Sequence, residues 1–306
     1  MEWSGRRADY VIKELDARFG RRGGITFAEM FGGIVAILTA AQSRAIIAVQ
    51  GAQVLSYETP AGEVLWLSPV AKLGTGKAVR GGIPVCWPWF GPHPADAAKP
   101  AHGFVRAAEW SVIGSAQGVE RARVVMAFDD QRIDKTLWPH KARAEIEVTL
   151  DDALTVTLST TNSGSSPLVL TEALHTYLRV GDIAEISVTG LDGRAYINQL
   201  QPGSLAVQAG AIGVSGEVDR VYQHSDGEVA VTDGARSRII RVTKAGSRST
   251  VVWNPGSEKA ARLGDLGDDG YRRMVCIEAG NVLDEEVTLA PGERHRLTTK
   301  ISATRR

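Results

Sequence analysis

The sequence predicts an all-β fold, a large antiparallel β-sandwich with few short helices. Residues 144–162 carry the clearest signal: Ile146, Val148 and Leu150 alternate with polar residues, Asp151-Asp152 makes a turn, and Leu154, Val156 and Leu158 alternate again. This is the pattern of a hairpin with one buried face. Many further short apolar runs follow the same style, broken by Gly-, Pro-, Asp- and Ser-rich stretches, with almost no long helical period. At 306 residues, 43% of them hydrophobic, the chain can bury one large core or two smaller ones.

Residues 1–24 read as a polar N-terminal extension. Within it Ile12, Leu15 and Phe19 fall on one face and predict a short helix over 11–19, broken by Arg21-Arg22-Gly23-Gly24. Residues 25–306 read as a single sandwich domain. The apolar run 31–41 follows Arg21-Arg22 and superficially resembles the core of a secretion signal. It is too short to span a bilayer, and Asp9, Glu14, Asp16 and Glu29 precede it, which such a signal avoids. It is therefore expected to be a strand, with 45–52 as the next. Further strands are expected at 124–128, 168–178, 186–188, 229–231, 239–242, 250–253, 274–278 and 287–289. Residues 74–90 and 91–100 read as long loops, which tend to carry function in a compact domain. No repeat, coiled coil, low-complexity tract or linker divides the chain.

Lys+Arg and Asp+Glu are equal at 35 each, so net charge gives no support for binding nucleic acid or an acidic membrane. A small anionic substrate needs only a few local cations and stays open. The two cysteines, Cys86 and Cys276, sit in apolar runs. They make no disulfide framework and read as small core residues, which fits a reducing cytoplasm.

Two polar residues interrupt strand-like runs. His175 lies within Thr171–Leu178 and Glu278 within Met274–Asn281. A lone imidazole or carboxylate buried without a partner is expensive. The bland reading is a satisfied core histidine and a surface glutamate. The sharper reading is an acid and a base held on rigid strands to move a proton on and off oxygen. By strand parity His175, Tyr177 and Arg179 share one face, and Met274, Cys276 and Glu278 share another. Glu278 is then expected to meet a cleft at the end of its strand, marked by Ala279-Gly280-Asn281.

Upstream lie Arg80-Gly81-Gly82-Ile83-Pro84-Val85-Cys86-Trp87-Pro88-Trp89-Phe90-Gly91 and Ala101-His102-Gly103-Phe104-Val105-Arg106. Downstream come Asp219-Arg220-Val221-Tyr222 and Val252-Trp253-Asn254-Pro255. Together and in this order, with the His175 and Glu278 segments, they resemble the aldose 1-epimerase superfamily, and within it the glucose-6-phosphate 1-epimerase (hexose-6-phosphate mutarotase) branch. The resemblance runs from about Gly51 to about Gly292. It implies the galactose mutarotase-like supersandwich and interconversion of the α and β anomers of a hexose 6-phosphate. It assigns His175 as general acid and Glu278 as general base, and places Arg80, His102, Arg106 and Asp219 in the substrate site. No cofactor or metal is implied, since no electron or hydride moves. The expected partner is a small sugar phosphate, with no nucleic acid and no membrane, and the expected state is a cytoplasmic monomer.

Each of these residues has a plainer alternative. Arg80 and Arg106 suit bidentate phosphate binding, or are surface salt-bridge residues. His102 contacts a sugar hydroxyl or braces its loop. Some relatives carry Gln before that histidine, where this chain has Ala101. Asp219 accepts from sugar hydroxyls or caps a turn. Trp87, Trp89 and Phe90 stack on the sugar or, for at least two of them, pack in the core. His93 and His102 with Asp96 between them match no compact metal-ligand spacing. His140 and His295 read as surface residues. Rival functions are epimerisation of unphosphorylated aldoses, or a non-catalytic carbohydrate-binding or sensing module.

Overall fold

The computed structural model describes residues 5–93, 95–132, 134–201 and 203–306. Helix Gly5–Phe19 is the first element of the described residues. It starts earlier than the expected residue 11 because Ala8, a weak apolar signal in sequence, extends the buried stripe. Val11, Ile12 and Leu15 pack against the core, and Asp16 Oδ1 accepts from the Phe27 amide at 2.9 Å, which ties the helix to the first strand.

Strands Ile25–Met30, Gly33–Ala40, Ser43–Ala48, Val54–Thr59 and Gly62–Glu63 form a meander. A second sheet runs Ile186–Thr189, Val229–Asp233, Arg238–Ala245, Arg294–Arg305, Leu154–Asn162, Ala142–Leu150, Ala122–Phe128, Ser111–Gln117. A third runs Leu205–Val207, Ala195–Asn198, Val218–Gln223, Ser249–Asn254, Met274–Asn281, Glu172–Leu174, Val85–Cys86, with Tyr177–Arg179 also on Met274–Asn281. All these ladders are antiparallel. The expected hairpin forms in register, Ile146 opposite Leu158 and Val148 opposite Val156. Asp151 Oδ1 accepts from the Ala153 amide to close its turn.

The second and third sheets share one core. Ile146, Val148, Leu158 and Leu297 pack in the same cluster as Leu174, Val275, Ile277 and Ala279. The opposite face of the third sheet carries Cys86, Tyr177, Trp253, Met274 and Cys276, a second and smaller cluster. Parity therefore sends alternate residues of Met274–Asn281 into the sandwich and toward the other side. Asp233 and Arg238 pin the rim of the second sheet. Both are fully buried, their side chains 3.2 Å apart, and Arg238 also donates to the Glu63 carbonyl at 2.6 Å.

Three expectations change. The 168–178 run is not one strand but three short ones, Leu168–Leu170, Glu172–Leu174 and Tyr177–Arg179. The Thr171, His175 and Tyr177 amides turn to the Pro88, Pro84 and Gly82 carbonyls, so the neighbouring loop takes over the pairing. Met274–Asn281 does not end near Glu278: it pairs on through Gly280 with Ser249 and Asn281 with Glu172. Glu278 thus sits mid-strand and meets the cleft through the sheet's face, not its end. Asp219 lies in strand Val218–Gln223, not in a turn. Among the described residues no helix is long and apolar enough to cross a membrane.

Candidate active site

A cleft of about 650 Å³ opens over the outer face of the third sheet. Strand Met274–Asn281 supplies Glu278, strand Val218–Gln223 supplies Asp219, and strand Ser249–Asn254 supplies Val251 and Trp253. His175 comes from the break between two short strands, and Arg80, Trp89, Phe90 and His102 from the long loops. Two glycines let those loops approach. At Gly82, with φ +62°, a Cβ would sit 2.0 Å from the Val54 carbonyl oxygen. At Gly103, with φ +74°, it would sit 1.8 Å from that of Trp87. Only glycine fits both. Asn254 locks the loop after its strand, donating to the Tyr271 and Met274 carbonyls and accepting from the Gly256 amide.

His175 and Glu278 meet at the floor. Nδ1 of His175 lies 3.2 Å from Oε1 of Glu278, and the two side chains are 10% and 1% exposed. The contact is close but poorly aligned for a hydrogen bond, and Glu278 Oε2 has no partner among the described residues. Burial dominates both titrations. It pushes Glu278 well above the ordinary carboxylate value, with the nearby Asp219 carboxylate adding to the rise. It pushes His175 well below the ordinary imidazole value, helped by the neighbouring His102, Arg106 and Arg80. Desolvation thus favours a neutral pair, a protonated carboxyl beside a neutral imidazole. Such a pair holds one proton in play between two sites.

The His175 ring stacks on Tyr177, centroids 4.7 Å apart and nearly parallel, and meets Trp253 edge-on at 6.0 Å. The Tyr177 hydroxyl accepts from Arg80 Nη1 at 3.2 Å, and Arg80 Nε pairs with Asp265 at 2.7 Å. His102 stands beside His175, ring centroids 5.8 Å apart. Its Nδ1 accepts from the Gly91 amide at 3.3 Å, which leaves Nε2 as the N–H. Burial and then Arg106 and Arg80 push it down to about 3, so it is neutral. Asp219 is pushed up to about 6 by burial, opposed by Lys259. His175, Cys276 and Glu278 offer one ligand atom each within 4.8 Å, the one such group among the described residues. Burial drives the Cys276 thiol well up, so it is a proton-bearing neighbour with no tendency of its own to become a thiolate ligand.

Arg80, His102, His175, Asp219 and Glu278 therefore share one cleft. Arg106 is not among the side chains lining the cleft and donates Nη2 to the Ala101 carbonyl at 2.7 Å, yet its charge acts on His102, His175 and Glu278. Trp87 is buried in the core, while Trp89 and Phe90 reach the lining. His140 is exposed. His295 is not a free surface residue: it lies 3.2 Å from the buried Glu172, which also accepts from Asn281 and Thr160. Sequence reading missed Tyr177 and Lys259 as site residues. Tyr177 could have been found from its shared parity with His175. Lys259 follows the 252–255 motif by four residues but carries no pattern of its own.

The model of the family described as aldose 1-epimerase matches residues 35–302. A protein of Cenchrus ciliaris named "Putative glucose-6-phosphate 1-epimerase" is 35% identical over 268 residues, 84% of this chain and 80% of that one. An Escherichia coli protein of the same name is 36% identical over 240 residues, 78% of this chain and 79% of that one. The crystal structure of a mutarotase so described, with the qualifier "putative", from Salmonella typhimurium superposes with a TM-score of 0.87 at 28% identity, covering 97% of this chain and all of that one. A galactose mutarotase-like protein from Clostridium acetobutylicum shares the fold, with a TM-score of 0.75 at 15% identity.

Proposed function

The chain belongs to the aldose 1-epimerase family, and from that premise we propose that it interconverts the α and β anomers of a hexose 6-phosphate, glucose 6-phosphate first among them. The observation that carries this reading is the buried His175–Glu278 contact at the floor of an open cleft whose wall presents Arg80.

Opening a sugar hemiacetal needs two proton movements. One group takes the proton of the C1 hydroxyl while another protonates the ring oxygen. The C1–O5 bond breaks, the carbonyl turns about C1–C2, and closure on its other face returns both protons. The pair begins and ends with the same proton count, so no cofactor or redox partner enters the balance. In this reading the C1 hydroxyl donates to Glu278 and the ring oxygen accepts from His175. Those hydrogen bonds favour carboxylate and imidazolium, the charged forms that burial disfavours. Substrate binding thereby turns a neutral pair into a poised base and acid. Reclosure uses the same groups in exchanged roles.

Neutral His102 donates from Nε2 to a sugar hydroxyl, and ionised Asp219 accepts from another. Arg80 meets the phosphate, and the nearby Arg106 adds positive charge to the same site. A binding module needs no matched acid and base, and an unphosphorylated sugar needs no cationic wall. A monomeric, cytoplasmic protein completes the proposal. The test is α/β exchange followed by NMR for glucose 6-phosphate and glucose, with and without protein. Catalysed exchange favouring the phosphate ester supports the reading, and equal rates on both sugars would replace it with a general aldose epimerase.

A further inference from the structure

Cys276 takes no part in the proton transfers, yet it stands beside the pair assigned to them. It lies two residues before Glu278 on strand Met274–Asn281, so both side chains leave the same face. The pairings of Leu174 with Ala279 and of Tyr177 with Cys276 set His175 against Glu278 across the strand break. A ring nitrogen of His175, the Cys276 sulfur and a Glu278 oxygen all lie within 4.8 Å of one another. His175 Nδ1 and Glu278 Oε2 are buried without a hydrogen-bond partner among the described residues, and Cys276 is fully buried. Three donors thus converge from rigid strands. A tetrahedral zinc centre holds its donor atoms about 3.5 Å apart, so side-chain shifts of about 1 Å close the set.

We propose that His175, Cys276 and Glu278 form an inhibitory site for a soft divalent cation of the zinc class. The cation enters through the cleft, which His175 and Glu278 line, and its fourth position faces that opening. One nitrogen, one sulfur and one carboxylate oxygen suit zinc, whereas magnesium and calcium demand more oxygen ligands. Three bonds to the cation form, the Cys276 S–H and Glu278 O–H bonds break, and both protons pass to solvent. No oxidation state changes. A dication with one thiolate and one carboxylate is a neutral centre, so the buried charges compensate one another. The cation itself removes the thiol proton, as metal-bound thiols are deprotonated outright. It then occupies the lone pairs that proton transfer needs, so cation and sugar exclude each other. The inhibition rests on the acid–base reading of His175 and Glu278; the binding does not.

If Cys276 only packs beneath the pair, its removal leaves zinc binding unchanged. The experiment follows Zn²⁺ binding by calorimetry and anomer exchange by NMR, at free Zn²⁺ levels set by a metal buffer. Wild type should bind one equivalent of Zn²⁺ and lose exchange in step with occupancy. A chelator should restore the rate, and Mg²⁺ and Ca²⁺ should do neither. Cd²⁺ should raise a thiolate-to-metal absorption band. Cys276→Ala should lose that band and weaken Zn²⁺ by at least about 10- to 100-fold, the cost of losing even an outer-shell partner. Its inhibition is read against its own rate in chelator. Cys86→Ala should keep the band and the affinity. His175→Asn, read by calorimetry alone, should weaken Zn²⁺ likewise, which keeps the test decisive if a cysteine variant fails to fold. No Zn²⁺ binding to wild type, full exchange at full occupancy, equal affinity in wild type and Cys276→Ala, or a band that survives Cys276→Ala overturns the site. A wild type that binds Zn²⁺ through these ligands but exchanges no anomers would sink the catalytic reading and leave the metal site standing.

Discussion

Replacing Glu278 with Gln removes a titrating group while keeping its volume, and the structure sets two independent consequences. The first is catalytic. A positioned proton-transfer group contributes about 10²–10⁴-fold, so saturating kcat for anomer exchange should fall by about that factor. The second concerns stability. Glu278 is 1% exposed and its Oε2 has no partner among the described residues, so ionising it in the folded state is costly. Its folded pKa is raised above the ordinary 4.5, so the native state holds a proton that the unfolded state has released. The stabilisation tied to that proton is whole below pH 4.5 and is lost as pH rises toward the folded pKa. Within that window the wild type should lose about 1.4 kcal/mol per pH unit relative to Glu278→Gln, the cost of one proton per unit. Two-dimensional exchange NMR reads the first effect and urea titration at a series of pH values reads the second. The result expected is a slow variant that grows more stable than wild type as pH rises. A variant with near-normal turnover would show that another group is the base. A pH-independent stability difference would show that Glu278 is not buried as described.

Further outcomes follow from the same site. His175→Asn should lower exchange by about 10²–10⁴-fold, and the double variant with Glu278→Gln should lose less than the product, because the groups act as a unit; single and double variants in the exchange assay check this. The pH profile of kcat/KM should have its acid limb well below the ordinary imidazole value of 6.5 and its alkaline limb well above the ordinary carboxylate value of 4.5. Asp219 is held up to about 6, so KM should fall as pH rises through about 6 and the carboxylate forms; Asp219→Asn should raise KM and flatten that dependence. Asp233→Asn should cost about 3–5 kcal/mol in chemical denaturation, because it leaves the buried Arg238 charge uncompensated, while exchange per folded molecule is little changed.

The all-β class was legible because period-2 alternation survives wherever one face is buried, as in residues 144–162. It faded where small or polar residues fill the buried positions. Strand Arg294–Arg305 carries Thr299 at an interior position and was not foreseen, nor was Val218–Gln223, whose Asp219 reads locally as a turn residue. The cleft residues were legible as motifs, but their distances were not, because the site is assembled by long-range pairing. The Val251–Glu278 register and the Pro84 carbonyl that captures the His175 amide bring together segments with no local signal for each other. Strand parity predicted faces correctly and still misplaced Glu278 at a strand end, since an alternation pattern does not say how far pairing continues. Lys259 and its Glu217 partner are 42 positions apart, and no local rule links them.

Whether the buried His175–Glu278 pair exchanges the anomers of a sugar phosphate can be measured directly. Selective inversion of the α C1 resonance of glucose 6-phosphate gives the α-to-β rate in buffer, with wild-type protein, and with the His175→Asn/Glu278→Gln double variant. The rate should rise in proportion to wild-type protein and return close to the buffer value with the double variant at equal concentration and equal fold content. A wild-type rate equal to that of buffer, or a double variant as fast as wild type, would contradict it.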